Sequence, residues 1–116
     1  MIEGSCHCGA VRLEVPEAPT QLTSCNCSLC RRLATLMAYY RPDQVKVLGS
    51  TTTYSWGEKT IAFHRCVTCG CTTHWSSLDP AQTERMAVNA RMLDPAVIEG
   101  VRIRRFDGAD TWKFLD

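Results

Sequence analysis

Several things are missing from this 116-residue chain. No apolar stretch approaches the roughly 20 residues that cross a bilayer, which argues against a membrane-spanning helix. There is no excess of charge: 13 Lys and Arg stand against 12 Asp and Glu, for a net charge of +1. That balance removes the electrostatic reason to expect nucleic acid or an anionic membrane as partner. The chain also has no Pro-, Gly- or Ser-rich linker, no low-complexity segment and no internal repeat. The expectation is therefore one domain, residues 1–116, around a single small core. The opening MIEGSCHCGAV carries neither a basic n-region nor an apolar h-region. With no sign of export, the expected setting is the cytoplasm.

What is abundant is cysteine, with eight residues. In a compartment that keeps thiols reduced, such a count reads as metal ligation rather than disulfides. The spacing agrees. Cys6-x-Cys8, Cys25-x-Cys27-x2-Cys30 and Cys66-x2-Cys69, with Cys71 close behind, form pairs too tight for relaxed disulfide geometry.

The remaining pattern is mostly strand. Ala10–Val15 alternates, with Val11, Leu13 and Val15 on one face and Arg12 and Glu14 on the other. Gln21–Ser24, Leu36–Tyr40, Val45–Leu48, Thr51–Trp56, Thr60–Arg65, Thr72–Ser76, Met86–Ala90 and Val101–Phe106 are further strand candidates, and Gly57-Glu58-Lys59 reads as a hairpin turn. Ser28–Leu33 is expected to make one helical turn capped by Ser28. Asp94-Pro95 starts a second short helix that Gly100 stops. About eight short strands with one or two very short helices make a mainly β domain closed by metal.

Cys6, Cys8, Cys66 and Cys69 form two pairs far apart in sequence, each at a strand end. Brought together, they make a closed four-cysteine zinc site whose role is structural. Gly9 and Gly70 follow the two segments and allow the turns that bring backbone N–H groups to the sulfurs. Cys25, Cys27 and Cys30 can face a second zinc ion. Its fourth position is filled by Cys71 or His74 on one reading, and stays open to water or a thiol on the other. Cys71 also reads as a buried free thiol. The residues alone leave these choices open.

GSCHCGAVRLEV, CNCSLCRR and FHRCVTCG, taken in order, resemble the glutathione-dependent formaldehyde-activating enzyme family, whose domain is shared with centromere protein V. The resemblance covers almost the whole chain. It implies an Mss4-like architecture of zinc-stapled antiparallel sheets and two zinc ions per chain. It implies that Cys6, Cys8, Cys66 and Cys69 hold the structural zinc. By the same resemblance, Cys25, Cys27 and Cys30 hold a reactive zinc that takes a thiol and are the catalytic set. The implied activity is that of a carbon–sulfur lyase joining glutathione to formaldehyde as S-hydroxymethylglutathione. The alternative is a non-catalytic zinc module that binds a protein partner.

Other residues have simpler roles. His74 reads as a half-buried strand histidine rather than a proton shuttle or zinc ligand. His7 points away from its neighbours' metal, and His64 is a sheet residue. Trp56, Trp75 and Trp112 either wall a pocket or serve as core and rim aromatics. Asn89 and Arg91 are weak candidates for a substrate carboxylate. Arg31 and Arg32 belong to a solvated helix face.

Overall fold

A computed structural model describes residues 1–116. In chain order the strands are β1 Ile2–Ser5, β2 Arg12–Val15, β3 Gln21–Cys25, β4 Met37–Tyr40, β5 Lys46–Leu48, β6 Thr51–Tyr54, β7 Ile61–Cys66, β8 Thr72–Ser77, β9 Met86–Asn89 and β10 Arg102–Phe106. Two four-residue helices, α1 Cys30–Leu33 and α2 Pro95–Ile98, follow β3 and β9. The chain is mainly β, as expected, and no helix is long and apolar enough to cross a membrane.

The strands form two sheets. A three-stranded sheet has the order β1-β2-β5, and a seven-stranded sheet has the order β10-β3-β4-β9-β8-β7-β6. Every pairing is antiparallel except β10 with β3, which is parallel. The chain returns through α2 from β9 to the far edge of the large sheet, and a return of that kind can lay a strand parallel to its neighbour.

Because side chains alternate across a strand, each face of the large sheet has its own residues. Met86 and Val88 of β9 pack against Leu13 and Val15 of β2, so the small sheet covers that face. Leu13, Val15 and Val88 are fully buried. On the opposite face, Met37, Phe63, Trp75 and Ala87 cluster with Cys30 of α1. No sheet lies over this second face, and the candidate site occupies it.

The local signals mostly land where expected. Asp94 accepts from the Ala96 amide at the start of α2, and Gly100 has φ +76° just beyond its end. The β6–β7 hairpin forms around Gly57 and Lys59, both with positive φ. Three expectations are corrected. β1 is a strand that the sequence pattern does not predict, because IEGS offers one strongly apolar residue and a glycine. Ser28 does not cap α1: the cap position is Leu29, with no side-chain hydrogen bond, and the Ser28 carbonyl instead accepts from Arg32 at 2.6 Å. Met86–Ala90 is strand only to Asn89, after which Ala90–Met92 turns as a 3-10 helix.

Candidate functional site

The eight cysteines form no disulfide. Seven fall into two clusters, each with its sulfurs within 4.8 Å of one another. The first is Cys6, Cys8, Cys66 and Cys69. Cys6 and Cys8 lie in the β1–β2 turn, Cys66 ends β7, and Cys69 lies in the β7–β8 turn. The Cys6–Cys8 and Cys8–Cys66 sulfur separations are both 3.6 Å. A tetrahedral ion with metal–sulfur bonds of about 2.3 Å has sulfur–sulfur edges of about 3.8 Å, so the cluster fits such an ion. Amides of Val11, Thr68 and Cys69 donate to the cluster's sulfurs at 3.3 to 3.5 Å. Gly9 and Gly70, with φ +81° and +78°, close the two turns by donating to the Cys6 and Cys66 carbonyls. Nothing would touch a Cβ at either glycine, so the backbone angle alone calls for glycine there. Backbone donors, led by the Cys71 amide, hold the Cys69 thiol down at about 5.

The second cluster is Cys25, Cys27 and Cys30. It is built by the end of β3 and the first turn of α1. The Cys27 amide donates to the Cys25 sulfur at 3.5 Å, and the Cys30 amide donates to the Cys27 sulfur at 3.3 Å. The neighbouring Cys30 thiol holds Cys25 down at about 5, and the same contact pushes Cys30 up. Three sulfurs that share protons in this way form a donor set that a cation satisfies better.

A segment 81 positions away completes this cluster. Asn26 donates to the Asp107 carboxylate at 3.0 Å and accepts from the Ala109 amide at 3.0 Å. Asp107 also accepts from the Thr111 amide and hydroxyl. These bonds press Gly108 against the sulfurs: a Cβ there would lie 2.6 Å from the Cys25 sulfur and 3.3 Å from the Cys27 Cβ. The sequence reading missed Asn26, Asp107 and Gly108. An Asp-Gly pair by itself carries only the signature of an ordinary turn.

The cluster opens onto a cleft of about 520 Å³. Cys25, Cys27 and Cys30 line it, with hydrophobic residues making up 11 of its 15 lining positions. All three tryptophans of the chain, Trp56, Trp75 and Trp112, are among them. Tyr39 stands edge-on to Trp75 at 6.1 Å between ring centres. Desolvation raises the Tyr39 phenol above its ordinary value. Thr23, 3% exposed, lines the cleft beside the Tyr39 phenol.

The other candidates lie elsewhere. Cys71 joins neither cluster and packs beside Cys6, Val11 and Cys66. His74 is buried rather than half-buried, on the face covered by the small sheet. It shares a 2.8 Å hydrogen bond with the Thr73 hydroxyl and stacks on His64 at 4.1 Å. His64 bridges Thr51 and Ser76 within the sheet, and His7 is exposed. Asn89 is not available to a substrate: its side chain donates to the Thr72 carbonyl and accepts from the Leu36 and Arg91 amides. Arg91 is held by the Ala34 carbonyl. Arg31 and Arg32 are exposed in the last turn of α1.

Comparison with known proteins agrees with this picture. The family model described as glutathione-dependent formaldehyde-activating enzyme matches residues 1–104. A Halomonas elongata protein, provisionally named as an enzyme of that kind, is 51% identical over 35 residues. That match spans 29% of this chain and 22% of the relative's length. The crystal structure of a Rhodobacter sphaeroides protein is similar, with a TM-score of 0.72 and 32% identity over 88% of this chain and 99% of that one.

Proposed function

Because the chain belongs to the glutathione-dependent formaldehyde-activating enzyme family, we propose that it makes and breaks carbon–sulfur bonds between a small thiol and an aldehyde. Glutathione and formaldehyde are the pair given by the family's name. The observation that carries this reading is the position of the second cluster, three convergent sulfurs at the wall of an apolar cleft.

We assign zinc to both clusters. Cys6, Cys8, Cys66 and Cys69 supply four thiolates and no vacancy, which suits a structural ion. Cys25, Cys27 and Cys30 supply three, leaving the cleft side for a substrate thiol. When bound there, zinc supplies a thiolate at neutral pH. A chain that must keep its cysteines reduced suits the cytoplasm.

The protein's own groups do the rest. Backbone donors and the close approach of Gly108 fix the direction of the Cys25 and Cys27 sulfurs, and aromatic side chains surround the place where the carbon reacts. In the forward direction the substrate sulfur adds to the aldehyde carbon, the carbonyl pair moves to oxygen, and that oxygen takes a proton to give a hemithioacetal. Tyr39 is the cleft's one titratable acid besides the cysteines. With its phenol raised, it stays protonated at neutral pH and can give that proton. The reverse sequence is a carbon–sulfur lyase reaction.

Cobalt substitution tests the reading. Adding glutathione or 2-mercaptoethanol should change the thiolate–cobalt charge-transfer bands, and Cys27→Ser should abolish the response. Adduct formation with formaldehyde should exceed the rate in buffer and fall to it in Cys27→Ser. If no thiol alters the bands and no adduct forms faster than in buffer, a non-catalytic zinc module replaces the enzyme.

A further inference from the structure

The charge of the cleft does not match the thiol in the family's name. Glutathione brings two carboxylates and an ammonium at neutral pH. Among the cleft's lining residues Arg85 is the only cation, and there is no carboxylate to receive an ammonium. Ionised groups placed against apolar walls without partners lose hydration that nothing returns. A tripeptide with three charges therefore either leaves the aromatic surface unused or is bound weakly.

The walls suit a different molecule. Trp75 and Met37 form part of the floor, and Trp56, Phe106, Trp112 and Phe114 stand around it. Phe106 makes edge-on contacts with Trp112 at 5.7 Å and Phe114 at 5.1 Å between ring centres. Trp112 is 73% exposed and has φ +59°. For a bulky side chain that backbone angle is costly, and water is a poor setting for an indole. Both features make sense if the ring is held out to meet an apolar ligand. Phe106, Trp112 and Phe114 come after the stretch 1–104 that the family model matches, so this wall is not part of what the match implies. Arg85 lies with its guanidinium 5.7 Å from the centre of the Trp75 ring, and one hydrogen bond to Gln82 leaves most of its donors free.

Resting on the proposed thiol chemistry at Cys25, Cys27 and Cys30, we infer that the preferred thiol is a compact aromatic one bearing a single anionic group, its ring between the tryptophans and its anion at Arg85.

Four thiols separate the possibilities on the cobalt-substituted protein: 4-(mercaptomethyl)benzoate, benzyl mercaptan, glutathione and 2-mercaptoethanol. The expected order of affinity is the first, then the second, with glutathione at least tenfold weaker than the first. Arg85→Gln should remove a threefold to tenfold advantage of the carboxylated thiol over benzyl mercaptan and leave 2-mercaptoethanol unchanged. Trp112→Gly should lower the affinity of both aromatic thiols severalfold. Glycine accepts the positive φ, so this variant removes the ring and keeps the turn. Glutathione binding as tightly as 4-(mercaptomethyl)benzoate, or losing as much affinity in both variants, would overturn the inference. A metal-independent arm uses 4-methylbenzoate, which has no thiol, and reads quenching of tryptophan fluorescence. If no thiol alters the cobalt bands but 4-methylbenzoate quenches in a manner that depends on Arg85 and Trp112, the thiol reading fails and the ligand class stands. If 4-methylbenzoate does not quench either, both fail.

Discussion

Gly108 shows how one residue can decide whether the second cluster exists. It needs to be small because a sulfur, not a turn, occupies the space where a Cβ would go. Gly108→Ala would place a methyl group 2.6 Å from the Cys25 sulfur, and the sulfur is the group able to move. The protein should stay folded, since the first cluster and both sheets are untouched. Metal analysis should then find about one equivalent per chain instead of two; two tightly held equivalents would show that the contact is unimportant. Tyr39→Phe addresses the proton. Removing the phenol should lower kcat for adduct formation by tenfold or more while the thiol-induced cobalt bands stay as they were, because a general acid acts on rate and not on thiol ligation. At this scale the grouping of seven cysteines into two clusters was legible in the sequence, since close spacing keeps their sulfurs near one another. Gly108 and Asp107 were not. Their partner Asn26 is 81 positions away, and only the fold brings them together.

At the scale of elements, the strands were readable wherever one face is buried. Leu13 and Val15 alternate with exposed or half-exposed Arg12 and Glu14, so pattern and burial coincide. β1 was hidden because its four residues carry almost no pattern, and the 3-10 turns because they are shorter than any period. The parallel pairing of β10 with β3 was beyond reach, since alternation reports a strand's faces and not its neighbour. That pairing has consequences. It places Phe106 beside Cys25 and starts the final segment, Asp107–Asp116, next to the second cluster. The segment is held by the Asp107 carboxylate, by the Leu115 amide on the Arg105 carbonyl, and by Asp116 accepting from the Arg105 amide. Asp107→Ala removes the clamp on Asn26 and on the Thr111 turn. Because groups behind the ligands hold their orientation, second-site metal affinity should fall about tenfold to a hundredfold, with the first site unchanged. Competition with a chromophoric chelator measures this, and an unaltered affinity would show that the segment is merely a wall.

At the scale of the whole molecule, two sheets meet across a small core, and the first cluster ties the β1–β2 turn to the β7–β8 turn. The stack of His64 on the buried His74 lies on the large-sheet face that carries Val88. Burial, and then the charge of His64, hold His74 down at about 4, against an ordinary value of 6.5. A base with a depressed pKa takes up its proton in the unfolded chain first. Its contribution is therefore complete above pH 6.5 and is lost as pH falls toward 4, by about 3 kcal/mol in all. The urea midpoint should fall between pH 7 and pH 5, and less steeply in His74→Gln; equal slopes would remove His74 from the acid response. The two metals should also differ in what their loss does. The four-cysteine cluster joins distant segments, with Cys66 58 positions after Cys8, so a metal held there would close a long loop and supply folding energy. The three-cysteine site lies within one short segment, closes almost nothing and keeps a side open to the cleft. Mild chelation should therefore remove about one equivalent while the circular dichroism of the strands persists, and stronger chelation should remove the second together with the fold. Cys66→Ser should reproduce that second stage without chelator, as insoluble protein or a sharply lowered Tm. Cys27→Ser should reproduce only the first. If both metals leave together and the chain unfolds in one step, or if Cys66→Ser is as stable as the parent protein, the division into a staple and an exchangeable site is wrong.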